Sequence, residues 1–307
     1  MHFLKIISMF IFAGLLLTAC GGNTPNTQNG GLQVVASTTI VGDVVAQVGG
    51  DHIDLTVLFP IGADPHTFDP RPQDVAAISK AQVIFISGLG LEESLQPTLD
   101  ANANGTVVQV SEGIDVRALE EQTAQNDEHD HESGDPHTWT DPNNVIVWTE
   151  NIASALSAAD PANAESYRTN ADAYIASLQE LDTWIRSEVE SIPLERRKLV
   201  TDHLAFGYFA DEYGFEQAGA LIGSFSTNAS PSAKELAALE DLIRAQNVPA
   251  VFVSKTASST LAEQVAQDTG IQVVLVYTGS LSASGGEADS YLAFMKYNVK
   301  AIVKALK

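Results

Sequence analysis

The chain reads as an α/β protein of two lobes, each a mainly parallel sheet with helices on both faces, joined by one long rigid helix. Three observations lead there. Short apolar runs rich in β-branched residues alternate with helical periodicity over residues 32–110, break off, and resume over 199–306; that alternation with short loops indicates parallel βα units. Between them Tyr167, Ala171, Tyr174, Leu178, Leu181, Ile185 and Val189 keep a spacing of three and four residues until Pro193. A helix of about 28 residues, rising 1.5 Å each, is about 42 Å long and exceeds what one small domain needs. Finally, 307 residues at 45% hydrophobic and 18% charged are enough for two ordinary cores.

In order, 32–40 is a β-rich run, and 41–48 continues with helical spacing until Gly49-Gly50 stops it. Residues 54–59 alternate like a strand, 71–80 form a helix, 83–87 a buried strand, 91–99 a helix and 106–110 a strand. Asp141-Pro142 and Asp160-Pro161 both look like an N-cap followed by proline at the first helical position. Beyond the long helix the predicted elements are strands at 199–202, 217–222, 251–253 and 272–277, and helices at 205–213, 231–246, 260–268 and 290–306. The organisation expected is 32–160 for the first lobe, 161–192 for the linking helix and 193–307 for the second lobe.

Residues 1–19 read as a lipoprotein signal peptide. Lys5 supplies the positive start, and the apolar stretch 6–17 is shorter than the roughly 20 residues that span a bilayer. Leu17-Thr18-Ala19-Cys20 resembles the lipobox of bacterial lipoproteins, and Cys20 is the sole cysteine. That resemblance implies an acylated Cys20 as the lipid attachment, anchoring an extracytoplasmic protein to the bacterial cell membrane. Residues 20–31 have nothing to bury and read as a flexible tether. The net charge of −23, from 39 acids against 16 bases, excludes nucleic acid as a partner, since phosphates demand a basic face.

One tetrapeptide occurs twice. Asp64-Pro65-His66-Thr67 follows a predicted strand directly, and Asp135-Pro136-His137-Thr138 runs on as Trp139-Thr140-Asp141-Pro142. Each copy sets an imidazole just after a proline, whose fixed φ directs the next residue. A third histidine, His203, follows Thr201-Asp202 at the carboxyl end of a predicted strand. Binding sites in open α/β sheets lie at such ends, and three converging imidazoles suggest a transition-metal site in the cleft between the lobes. The acidic stretch 120–134 carries His129 and His131. It is either a solvated surface loop or an accessory loop that gathers metal loosely.

These motifs, with Pro72-Gln73-Asp74, Thr201-Asp202-His203-Leu204-Ala205-Phe206-Gly207-Tyr208 and Tyr291-Leu292-Ala293-Phe294-Met295 followed by Asn298, resemble the metal-binding lipoproteins of zinc and manganese ABC importers, the cluster A-I solute-binding proteins. The match runs through the whole mature chain. It implies two α/β lobes on one long helix, metal ligands at His66, His137 and His203, and small lobe shifts with loop ordering on loading. It also implies delivery of the metal by a monomer to an ABC permease and its ATPase. Members often carry a fourth ligand, an aspartate, where this chain has Gly279, so water or a displaced carboxylate such as Glu287 would complete the set; Asp289 is expected to cap the last helix.

Three neutral imidazoles without an assigned carboxylate suit Zn2+ as the transported ion better than Mn2+, which prefers oxygen. Histidine at position 203, where manganese members tend to carry glutamate, points the same way by resemblance. Manganese is the alternative within the family. A zinc hydrolase with three histidines is the rival from another class, weakened by the lack of an HExxH-type motif. Cell adhesion by a surface lipoprotein is compatible with transport.

Overall fold

The computed structural model describes residues 31–118, 134–256 and 258–307. The signal peptide, Cys20, nearly all of the tether, and His129 and His131 lie outside the described residues. Among those described, no helix is long and apolar enough to cross a membrane.

Strands β1 (Leu32–Ala36), β2 (Ile53–Val57), β3 (Val83–Ile86) and β4 (Thr106–Gln109) form a parallel sheet in the order β2-β1-β3-β4. The chain moves outward from β1 to β2, then returns to the other side with β3, leaving a switch point between β1 and β3. β5 (Lys198–Thr201), β6 (Glu216–Ala220), β7 (Ala250–Ser254) and β8 (Gln272–Val276) repeat this arrangement as β6-β5-β7-β8, again all parallel. The inner strands are apolar on both faces because both are covered. Val34, Ala36, Val83 and Phe85 join the core with α1 (Thr39–Gly49) and α4 (Pro142–Ala159). Val35, Ile84 and Ile86 face the other way, onto Ile78 of α2 (Pro72–Lys80) and Leu99 of α3 (Gln96–Asn102).

The long helix α5 spans Ala164–Val189, 26 residues, preceded by a 3-10 turn at Pro161–Asn163. All seven residues of its predicted apolar stripe are buried. They join one continuous core with Val44 and Trp148 of the first lobe and Phe252 and Met295 of the second. After α6 (Gly207–Tyr213), α7 (Ala233–Gln246) and α8 (Thr260–Thr269), the closing helix α9 (Tyr291–Leu306) lies along α5 and reaches the first lobe, where Tyr291 N donates to Asp43 Oδ2 at 2.9 Å.

Several boundaries differ from expectation for local reasons. The first strand stops at Ala36, because Thr38 becomes the N-cap of α1 and its side chain accepts from Val41 N at 3.1 Å. The helix expected over 91–99 is a 3-10 turn, Glu93–Leu95, followed by α3. Ahead of it Gly88, Leu89 and Gly90 all hold positive φ, which delays regular helix. Ser290, not Asp289, caps α9 through Ala293 N, while Asp289 accepts from Gly285 N.

Because α5 belongs to both lobes' core, Leu178→Ala is expected to lower stability by about 2–5 kcal/mol and to shift the whole protein in one transition. Urea unfolding followed by tryptophan fluorescence and by far-ultraviolet dichroism checks this. Two separated transitions would show that the lobes do not share a cooperative core.

Candidate metal centre

The carboxyl ends of the two sheets face one another, and each histidine of the sequence motifs leaves such an end. His66 lies on the loop after β2, His137 on the segment following β4, and His203 just past β5. Their Nε2 atoms converge: His66 to His137 at 3.3 Å and His203 to His137 at 3.2 Å. They are the one group of three or more metal-capable side chains found among the described residues.

Each imidazole is placed by the aspartate just before it. In both copies of the tetrapeptide the aspartate reaches over its proline, so Asp64 Oδ1 accepts from His66 N and Asp135 Oδ1 from His137 N, both at 3.0 Å. Asp135 Oδ1 also meets His137 Nδ1 at 2.9 Å. Asp202 Oδ1 takes both the backbone N and Nδ1 of His203 at 2.8 Å, while Asp202 Oδ2 accepts from Ser254 N at 2.8 Å. The sequence carries the signal, an acid one or two residues ahead of every site histidine, which the reading by proline alone passed over. Trp139 closes the floor, with its Nε1 donating to Thr278 O at 2.8 Å and its ring 5.2 Å from that of His137.

With Nδ1 donating to a carboxylate, the free lone pairs of His137 and His203 lie on Nε2. In that tautomer the two Nε2 lone pairs point into the same small space, 3.2 Å apart. Burial, followed by the charge His203 would carry, pushes His137 well below the ordinary imidazole value. Burial and the two neighbouring rings push His66 down to about 3. Burial likewise raises Asp135 to about 7, against the pull of His137 N and Arg117; its Oδ2 has no hydrogen-bond partner among the described residues and lies 3.8 Å from the Arg117 guanidinium. Burial also opposes ionisation of Asp202, but its bonds from His203 and Ser254 outweigh it and bring that carboxyl below the usual range.

Two neutral donors bound tetrahedrally at 2.0–2.1 Å lie about 3.3–3.4 Å apart, close to the spacing here. The space they enclose is about 50 Å³, lined also by Asp64, Asp202, Thr227, Ser254, Thr278 and Gly279. That admits an ion. Both lining carboxylates are engaged, since Thr227 Oγ1 donates to Asp64 Oδ2 at 2.5 Å. Glu287, expected as a candidate fourth ligand, does not line this space; it is largely exposed and pairs with Lys255 Nζ at 2.8 Å. Gly279 does line it, but a Cβ there would stand 2.8 Å from Pro65 Cδ and 3.0 Å from Cγ. The restriction at 279 is thus close approach to the His66 loop.

Residues 34–305 match the family described as ZnuA, zinc-uptake complex component A, periplasmic. The chain belongs to this family. The manganese-binding lipoprotein MntA of Halalkalibacterium halodurans is 36% identical, over 98% of this chain and 99% of that one. The manganese ABC transporter substrate-binding lipoprotein PsaA of Streptococcus pneumoniae is 34% identical, over 98% and 97%. Among solved structures, the periplasmic zinc-binding protein TroA of Treponema pallidum aligns at a TM-score of 0.81 with 27% identity, covering 90% of this chain and 99% of its own. The chain is therefore a metal-binding component of an ABC-type importer, and the twin-lobed fold is the family's.

In metal-free protein, the ring of His66 is expected to remain neutral at pH 5, and that of His137 to protonate only below the ordinary imidazole range. Their folded values lie below the unfolded one of about 6.5, so the unfolded chain protonates first as pH falls. Imidazole 15N shifts read this directly. A midpoint near the ordinary value for either ring would contradict the burial argument.

Proposed function

We propose that the chain is a lipid-anchored, extracytoplasmic protein that captures one divalent first-row transition metal at His66, His137 and His203. It then delivers the ion to a membrane permease driven by an ATPase. The observation that carries this reading is the convergence of three Nε2 atoms, two of whose rings are oriented by carboxylates on Nδ1. Anchoring through Cys20 is supported by the lipobox and by the lipoprotein names of the relatives.

Manganese is the ion that those names favour, displacing the zinc expected from the donor types alone. Zinc stands as the second reading, on a specific observation: the donors are imidazoles, and neither lining carboxylate is free. Elemental analysis of protein purified without added metal, followed by competition titration with both ions, decides between them. Stoichiometric manganese, retained against equimolar zinc, supports the first reading; zinc retained against manganese supports the second. The relatives' names, binding lipoproteins of ABC transporters, favour capture over the hydrolase reading.

His66→Ala, His137→Ala and His203→Ala are each expected to weaken binding by more than about 100-fold. Asp135→Asn and Asp202→Asn should lose about 10–100-fold, the range for groups that orient a ligand. Chelator competition measures both sets. Native affinity in any alanine variant would remove that histidine from the site.

Gly279→Ala tests the close approach to Pro65. The added methyl must push Pro65, and with it His66, so binding of either ion is expected to weaken about tenfold, the low end of losses from supporting residues. Gly279→Asp then gains its oxygen donor only against the same displacement. Unchanged affinity in the alanine variant would show that the His66 loop yields freely.

A further inference from the structure

Trp139, Tyr291 and Asn298 belong to the sequence motifs, yet none of them is placed to bind metal. All three are buried, and they form one hydrogen-bonded frame. Trp139 Nε1 donates to Thr278 O at 2.8 Å, and the hydroxyl of Tyr291 donates to Trp139 O at 2.8 Å. Further along α9, Asn298 meets the chain just past β8 with both ends of its amide. Its Oδ1 accepts from Tyr277 N at 2.8 Å, and its Nδ2 donates to Tyr277 O at 2.7 Å. An amide bonded to both backbone groups of one residue takes the place of a neighbouring strand and fixes the peptide that follows. One helix thus holds both partners of the bond between Trp139 and Thr278.

A separate observation concerns the oxygens around the pocket of about 50 Å³. Every side-chain oxygen in its lining is bonded to another protein group. Asp64 and Asp202 are engaged on both carboxylate oxygens, one of those on Asp64 by Thr227. Thr278 Oγ1 donates to Ser254 Oγ at 3.0 Å, and Ser254 Oγ lies 2.8 Å from Thr256 Oγ1. With Thr278 O bound by Trp139, the backbone carbonyl just before Gly279 is taken as well. The three imidazole Nε2 atoms, by contrast, face one another.

We propose that Trp139 is a specificity-determining residue, which acts by withholding an oxygen from the ion. An indole N–H is a donor with no lone pair to offer, so Trp139 occupies the carbonyl of Thr278 without becoming a ligand itself. It is a positioning residue for Thr278, and Tyr291 and Asn298 keep the bond between them in register. Carbonyl oxygen suits Mn2+, whereas imidazole nitrogen suits Zn2+. The bond therefore lowers affinity for Mn2+ relative to Zn2+. The inference rests on the metal-capture reading above and stands whichever ion is the cargo.

Chelator competition with Zn2+ and with Mn2+, each as a single probe ion, tests this in the native chain and in Trp139→Phe. The variant keeps an aromatic ring and removes the donor. The ratio of the Mn2+ to the Zn2+ dissociation constant is expected to fall about tenfold, the low end of what supporting groups contribute at metal sites. A merely structural loss would weaken both ions alike and leave the ratio where it was. Loaded with Co2+, the variant should show weaker visible d–d bands than the native chain, because an added oxygen raises the coordination number. Tyr291→Phe frees Trp139 O at nearly constant volume and should move the ratio the same way by a smaller factor. It replaces Trp139→Phe if the smaller ring unsettles the core or abolishes binding. An unchanged ratio with metal still bound, or Co2+ bands of native strength, overturns the role of Trp139 and leaves metal capture standing. Failure of the native chain to bind either Zn2+ or Mn2+ overturns both.

Discussion

Three imidazoles bring their Nε2 atoms to within 3.2–3.3 Å of one another in a buried pocket, and wherever two lone pairs meet there they repel. The arrangement is tolerable only because the surroundings force it. Asp135 and Asp202 fix the tautomer of two rings, burial keeps His66 and His137 neutral, and the shared core holds the two sheet ends against each other. A divalent cation turns the same repulsion into coordination. The rest of the architecture serves that juxtaposition, since two histidines come from one lobe and the third from the other.

The histidines were legible in the chain because a motif used twice announces itself, and because strand ends in α/β proteins are where ligands bind. Fold class and the α5 stripe were legible for a similar reason, as periodicity is a local property. What escaped was either short or non-local. The aspartate in each Asp-Pro-His is a two-residue effect concealed by the more conspicuous proline. Thr227 sits in a loop with no periodicity, and its importance arises only when the second lobe lies against the first. Gly279 could be placed at the site by resemblance, but its closeness to Pro65 could not, because that contact spans more than two hundred residues of chain. Glu287 was credible while its partner was unknown; Lys255 claims it.

The two sheets share one strand order, yet the site ignores that symmetry. His66 follows the outer strand β2 of its sheet, whereas His203 follows the inner strand β5 at its sheet's switch point. The first loop therefore reaches further from its strand, and the hydroxyls of Ser280 and Thr227 on the other lobe hold it, at Gly62 N and Asp64 Oδ2. The second stands on a buried strand and is anchored by Ser254 at the end of β7. This difference in support, more than any difference in chemistry, separates one histidine from the other two.

The placement of α9 bears on how the protein is made. Its first residue, Tyr291, donates from its ring hydroxyl to Trp139 O and from its backbone to Asp43, and its apolar face completes a core that begins at Leu32. The earliest strand to leave the ribosome thus waits for the final helix before its surroundings are finished. A chain built this way stays short of its native state until its last residues have appeared.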